Sequence, residues 1–438
     1  MHQFRLVQEL RRTWMRLCNT GEDVPWSRRF VARRRRTPMS TVVPDRSQAG
    51  FLTVAQRRRA TLDRSGVSNK RQMATQAPTV AFYGLLIVSA LLVMFGLVMV
   101  LSASSVTMLH SGKSAFGVFY RQLAWAGIGT FLMWGAYTFP YQMLKRFAPF
   151  IFLVSFLAMF LPFVPGLGNS VNGARAWIGD GAWRFQPSEL LKLATLIYVA
   201  RILSKNSRDK SDMATRLGKV LLVLVLAAGM CMLQKDLGSA IIFGAIVLSI
   251  AFVGGTSLRL LAITGFIGTV VVGIFVNMEA YRRQRFLAFI NVEENKGHWG
   301  YQVYQSMISI ANGRFTGVGV GDGAGKWGYV PLAHTDFIFA IIAEELGFIG
   351  AVAVIGLFFL FIVFGIQAAL GARDAFGALL AGGVTAWFGV QAIVNIGGVT
   401  GAMPVTGLTL PFISYGGSSL LVTMAATGLL LNVARHMK

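Results

Sequence analysis

A succession of apolar stretches, each too long for the core of a water-soluble domain, constrains this chain more than anything else in it. They lie near residues 80–102, 118–138, 147–165, 187–204, 217–233, 239–255, 258–278, 336–366, 376–399 and 411–433. The hydrocarbon core of a bilayer takes ~20 predominantly apolar residues per helix. Lipid offers no partner for an open backbone, so runs of this kind fold as membrane-spanning helices. The expected fold is an all-α polytopic membrane protein with ten transmembrane helices, the run from Phe337 being long enough to tilt. Composition agrees. The chain is 54% hydrophobic and 13% charged, against about 45–50% and 25% in soluble domains, and its 49 glycines suit helices that approach closely in lipid.

Charge divides the chain in two. The net charge is +23, and residues 1–78 hold sixteen Arg and one Lys against five acids. This segment contains "ARRRRTP" and "AQRRRA" and has no hydrophobic periodicity. It reads as a basic, disordered cytoplasmic tail drawn to anionic membrane lipids rather than to nucleic acid. No short apolar core of a signal peptide stands near its start, so no cleavage is expected. Residues 79–435 form the membrane domain. Cys18 and Cys231 offer neither a disulfide framework nor metal-ligand spacing.

Positive charge in short loops marks the cytoplasmic side. With the basic tail inside, the inner segments carry Lys145 and Arg146, then Lys205, Arg208, Lys210, Arg216 and Lys219, then Arg259, Arg373, Arg435 and Lys438. Both termini are therefore expected to be cytoplasmic. The outer loops fall at 103–117, 167–186, 234–238, 279–335 and 400–410. The fourth, between helices 7 and 8, is far longer than a connector needs and is the expected carrier of function.

That loop opens with "EAYRRQRFLAFINVEENKGHWGYQ", a basic cluster on the side where the charge rule disfavours it. On a helix Arg282 and Arg285 share a face and could clamp a phosphate, with Arg283 beside them; snorkelling toward lipid headgroups is the alternative. Glu293 and Glu294 follow. A carboxylate beside a cationic phosphate site can act as general base, or be plain solvated charge. Ionisable residues also interrupt the spans, where they are costly and face a cavity or a partner. Glu344 and Glu345 project about 100° apart, so at most one is expected to face a given cavity. Asp236 begins a span, and Glu189 and Lys192, spaced i,i+3, neutralise each other. In "MPVTGLTLPFISYGGSSLL" the prolines and glycines predict irregular backbone at membrane depth. There the hydroxyls of Ser414, Ser418 and Ser419 either hold a polar headgroup or support a re-entrant packing element. No phosphate-binding glycine loop, dinucleotide fingerprint, zinc spacing or serine-hydrolase elbow stands out.

The segments "VLSASS", "NGARAWI", "FQPSELLKL", "DLGSA", "YRRQR", "GYQVYQS", "HTDFIFAIIAEELGFIG" and "TGLTLPFISYGGSSLL" together resemble the SEDS family of polytopic cell-wall proteins, its division branch more than its elongation branch. The resemblance runs from about Thr79 to Arg435. It implies a ten-span fold and peptidoglycan glycosyltransferase activity on lipid II, a disaccharide-pentapeptide carried on undecaprenyl pyrophosphate. It also implies a class B penicillin-binding transpeptidase and other divisome proteins as partners, residence at the division septum, and a divalent cation (Mg or Mn) at the diphosphate. A lipid II flippase and a weakly catalytic divisome scaffold are the alternatives it leaves. By the same resemblance Trp177, Arg282, Arg285, His334 and Asp336 are substrate-binding positions. One departure matters: where the family carries an essential Asp six residues before Tyr301, this chain has Asn295, and an amide cannot serve as a base. Glu294 is the expected replacement, with Glu293 beside it.

Overall fold

The computed structural model describes residues 79–171, 173–179, 181, 184–205, 210–278, 280–298 and 300–437. The tail 1–78, and what was expected of it, lies outside them. Twelve α-helices occur among the described residues: α1 (Val80–His110), α2 (Gly117–Thr138), α3 (Tyr141–Ala158), α4 (Pro187–Leu203), α5 (Lys210–Leu233), α6 (Leu237–Val253), α7 (Leu258–Asn277), α8 (Ala280–Ile290), α9 (Tyr301–Asn312), α10 (Ile338–Leu370), α11 (Ala375–Val399) and α12 (Gly417–Arg435). A two-stranded antiparallel hairpin, β1 (Gly168–Val171) and β2 (Ala174–Ile178), stands between α3 and α4. Seven helices are long and apolar enough to cross a membrane: α1, α3 with the turn after it, α5, α7, α10, α11 and α12. Of the other long helices, α4 and α6 have 17 residues each.

Burial separates a centre from a periphery. In α11 and α12, 78% and 83% of the spanning window is enclosed by protein, against 6% in α7. The centre is lined by aromatic rings, with Phe388 5.6 Å from Phe361 and 5.4 Å from Phe412. Lipid tails are as apolar as leucine, so helices associate here through close packing rather than through exclusion of water. Glycine makes that approach possible. A Cβ on Gly417 would strike the Trp125 indole of α2, and one on Gly428 would overlap the Met133 carbonyl.

The helices depart from the runs read in the sequence at several places. Helix α1 continues to His110 rather than stopping near 102. The last helix begins at Gly417 instead of 411, because Pro411 has no amide hydrogen to give and Phe412 adopts a φ of 67°. Helix α10 is broken at Gly347, where φ is 66° and ψ is −163°.

Side chains tie the helix ends into two groups. Thr79 Oγ1 at the start of α1 donates to the Ala434 carbonyl near the end of α12 (3.3 Å), and Tyr141 Oη donates to Asp374 Oδ1 (2.6 Å) at the start of α11. Asn432 Nδ2 reaches the Ala136 carbonyl of α2 (3.1 Å). In the other group, Gln234 Nε2 donates to the Met159 carbonyl (2.6 Å) and Ser306 Oγ to the Val399 carbonyl (2.7 Å).

Candidate functional site

The break in α10 organises the loop that precedes it. A break in a helix frees carbonyls and amides that lipid cannot satisfy. Here the loop between α9 and α10 satisfies them. The amides of Val318 and Gly319 donate to the carbonyls of Glu344 and Glu345 (3.0 and 3.1 Å), while the amides of Phe348 and Ile349 donate to the carbonyls of Arg314 and Phe315 (3.0 and 3.3 Å). The backbones approach so closely that a Cβ on Gly317 would overlap the Glu345 carbonyl. Gly317 also has a φ of 84°, a conformation that favours glycine.

The two carboxylates of this stretch then hold the returning limb of the same loop. Glu344 accepts from the amides of Ala324 (3.1 Å) and Gly325 (3.0 Å), capping the short 3-10 turn Gly325–Trp327. Glu345 forms a buried ion pair with Lys326 (2.8 Å), and Ser102 Oγ of α1 lies 2.7 Å from both of its oxygens. Glu344 and Glu345 thus meet neighbouring residues of one loop. Both grip residues 324–326, because the loop folds in against the broken helix and meets two directions at once. Lys326 and Ser102 were missed in the sequence. The available signal was the pair of carboxylates in an apolar run, which called for a cation in the loop before it.

A second buried pair lies in α4. Lys192 Nζ donates to Glu189 Oε1 (2.8 Å) and sits 5.6 Å from the centre of the Trp387 ring in α11. The i,i+3 pairing read from the sequence is present, and Lys192 is fully buried. Asp236 caps α6 by accepting from the Ser239 amide (2.9 Å), and its other oxygen accepts from Gln186 Nε2 (2.8 Å). Trp177 lies on β2 opposite Asn169, in the hairpin that precedes α4.

The irregular segment 400–416 is exposed at Ala402, Met403 and Gly407 and largely enclosed from Leu408 to Ser414. Leu408, Leu410, Phe412 and Ile413 are all enclosed. Ser414 Oγ donates to the Thr335 carbonyl (2.7 Å) and accepts from the Leu410 amide (2.8 Å). Ser419 Oγ pairs with Thr409 Oγ1 (3.0 Å), and Ser418 is buried. The segment is bonded to the end of the loop that precedes α10, where His334 accepts at its carbonyl from the Tyr415 amide (2.9 Å). Burial holds the His334 imidazole below its ordinary pKa. A cleft between this segment and α11 is lined by Asp336, Asn395, Gly398, Thr406 and Gly407. Asn395 Nδ2 there bridges the carbonyls of Asp336 (2.8 Å) and Leu408 (2.6 Å).

Of the basic cluster, the side chains of Arg282 and Arg283 are described. Arg282 turns back onto α7, its guanidinium 3.8 Å above the Phe275 ring and donating to the Phe275 carbonyl (3.2 Å). Arg283 is exposed on α8, and the side chain of Arg285 lies outside the described residues. Glu293 and Glu294 are exposed, with Glu294 Oε2 accepting from Asn291 Nδ2 (3.1 Å). Asn295 closes the turn: its Nδ2 donates to the Asn291 carbonyl (2.9 Å), and its own carbonyl accepts from His298 and Gly300. No three His, Cys, Asp or Glu side chains converge among the described residues.

Seven helices long and apolar enough to cross a membrane, buried ion pairs among them and a broken helix filled by the loop before it define a polytopic membrane protein. The family model described as "Cell cycle protein", covering FtsW, RodA and SpoVE, matches residues 83–438, and the chain belongs to that family. A probable peptidoglycan glycosyltransferase FtsW from Geobacter metallireducens is 38% identical over 359 residues, 81% of this chain and 94% of that protein. The stage V sporulation protein E of Bacillus subtilis is 37% identical over 358 residues, 80% and 96% of the two chains. A solved chain from a peptidoglycan synthase complex that coordinates polymerization and crosslinking superposes with a TM-score of 0.67. It is 31% identical, and the match covers 82% of this chain and 98% of that one.

Proposed function

We propose that this chain is a peptidoglycan glycosyltransferase that polymerises lipid II into glycan strands during septal wall synthesis. The observation that carries this is the 38% identity to a probable FtsW over 94% of that protein's length. In the reaction the 4-hydroxyl of one lipid-linked sugar attacks the anomeric carbon of the growing strand. The new glycosidic bond forms as the bond to the diphosphate breaks, the hydroxyl proton passes to a base, and undecaprenyl pyrophosphate departs.

Glu294 is the proposed base, with Glu293 beside it, since Asn295 is an amide already engaged in its turn. Arg282 and Arg285 of α8 are the proposed diphosphate-binding residues, and Trp177, His334 and Asp336 line the path of the sugar. Ser414, Ser418 and Ser419 support that path from beneath. Glu293 would help to hold a Mg or Mn ion, which would supply Lewis-acid stabilisation of the leaving charge.

The proposed topology has ten spans, with α2, α4 and α6 added to the seven helices above and the large outer loop between the seventh and eighth. The two groups of tied helix ends support it, because every bond described pairs ends that such a path puts on the same side. Both termini are cytoplasmic in this reading, residues 79–435 being the membrane domain and 1–78 a basic tail at anionic lipid. The proposed partner is an FtsI-like class B penicillin-binding transpeptidase of the divisome. Asn295 at the family's Asp position favours a second reading, a weakly catalytic divisome scaffold.

The test is purified protein, with and without the transpeptidase, given fluorescent lipid II. Glycan ladders support the polymerase. Their absence with partner present supports the scaffold, and lipid movement across vesicles without ladders supports a flippase.

A further inference from the structure

We infer that the buried cluster Ser102–Lys326–Glu345 is a latch that holds the returning limb of the outer loop against the broken helix, and that its members are positioning residues for the transfer reaction. The second half of this inference rests on the glycosyltransferase reading. The first half stands on geometry alone.

The three residues come from α1, the outer loop and α10. They form a closed set: Lys326 Nζ donates to Glu345 Oε1 (2.8 Å) and to Ser102 Oγ (3.2 Å), and the Ser102 hydroxyl completes the ring at 2.7 Å from the carboxylate. Lys326 is 2% exposed, Glu345 1% and Ser102 8%. An enclosed ion pair is poor evidence for stability in itself, because desolvation can exceed the attraction, and apolar residues of similar size often serve as well. What a hydrogen-bonded pair supplies that apolar side chains do not is one defined register. The register here concerns a loop with many glycines, Gly313, Gly317, Gly319, Gly321, Gly323, Gly325 and Gly328, which by itself has many conformations to choose among.

Two independent fastenings meet at this point. The outgoing limb is fixed by backbone bonds to the Glu344 and Glu345 carbonyls, and the returning limb by the Glu344 and Glu345 side chains. Chain continuity then carries the fixed position of Lys326 through Val330, which is buried and whose amide bonds back to the Gly325 carbonyl (2.9 Å), to Thr335 and His334, which are bonded to the re-entrant segment. A lysine eight residues ahead of His334 thereby sets where the end of the loop can lie, without touching substrate.

The test removes the charges together, since a single replacement would leave an unpaired buried charge and confuse register with folding. The full-length Lys326→Met/Glu345→Leu variant is compared with wild type in detergent. Backbone hydrogen exchange is measured over residues 313–336 and over α11 and α12, and kcat and KM for fluorescent lipid II are measured with the transpeptidase present. The expected result is exchange at least ~10-fold faster in 313–336 with α11 and α12 unchanged, and kcat reduced ~10-fold or more at nearly constant KM. Lys326→Arg paired with wild-type Glu345 should recover part of both. Wild-type exchange in the double variant overturns the latch, and accelerated exchange with wild-type kcat overturns the positioning role. Absence of polymer from wild type counts against the glycosyltransferase reading, while the exchange measurement still decides the latch.

Discussion

The backbone amide of Tyr415 donates to the carbonyl of His334 at 2.9 Å, joining the segment that enters the last helix to the end of the loop before α10. One residue earlier, Ser414 doubles the joint through its hydroxyl. Replacing Ser414 by Ala leaves the Leu410 amide and the Thr335 carbonyl each short of a partner in a buried place. The expected cost is ~1–3 kcal/mol, read as a lowered midpoint in denaturant unfolding of the purified protein. Ser111→Ala, which removes only an exposed local bond to the Thr107 carbonyl, should stay within about 0.5 kcal/mol of wild type.

The same joint is expected to be sensitive to acid. Burial lowers the His334 pKa in the folded protein, so as pH falls through the unfolded imidazole's value of ~6.5 the unfolded chain binds a proton before the folded one. Stability contributed by neutral His334 is thus present at pH 7.5 and declines on acidification below that value. Thermal midpoints at pH 7.5 and 5.5 should separate more in wild type than in His334→Gln. An equal separation would show that other groups carry the pH dependence.

Glu294 and Asn295 are neighbours with different expected roles. Glu294→Gln removes a proton acceptor, and ladder formation from lipid II should fall ~100-fold or more. Asn295→Ala removes a turn bond to the Asn291 carbonyl and should leave most of the activity. Ladders that survive Glu294→Gln but vanish with Asn295→Ala would move the reaction away from Glu294 altogether.

Within α4, Lys192→Met strands the Glu189 carboxylate in a site with no solvent. Loss of one member of a buried pair costs about 3–5 kcal/mol, whereas exchanging both for apolar side chains is often neutral. Detergent-denaturation midpoints should therefore drop sharply for Lys192→Met and recover in Glu189→Leu/Lys192→Met. A double variant as unstable as the single one would mean that the pair does more than neutralise itself.

How much of this was legible in the chain depends on the range of the interaction involved. Apolar runs are local, and they mark the seven helices that are long and apolar enough to cross a membrane, with errors where a helix end depends on something outside the run. The start of α12 moved to Gly417 because Phe412 is held in a left-handed conformation within a buried segment, a tertiary effect. Glu189 and Lys192 were legible as a pair because three residues separate them. Lys326 was not, since in "GAGKWGY" it looks like any loop lysine, and its partners lie 19 and 224 positions away. Arg282 was read as half of a phosphate clamp or as a snorkelling side chain; its contacts with the ring and carbonyl of Phe275 in the last turn of α7 were not legible from the spacing.

The break at Gly347 has a bearing on how the protein assembles. The Glu344 and Glu345 carbonyls, and the Phe348 and Ile349 amides, find partners only in a loop synthesised before them. Residues 336–370 alone in a bilayer would have no such partners and would close their own backbone bonds into one uninterrupted rod. The bend in α10 is therefore a property of the finished molecule, and that helix cannot reach its final shape until the preceding loop has been laid upon it.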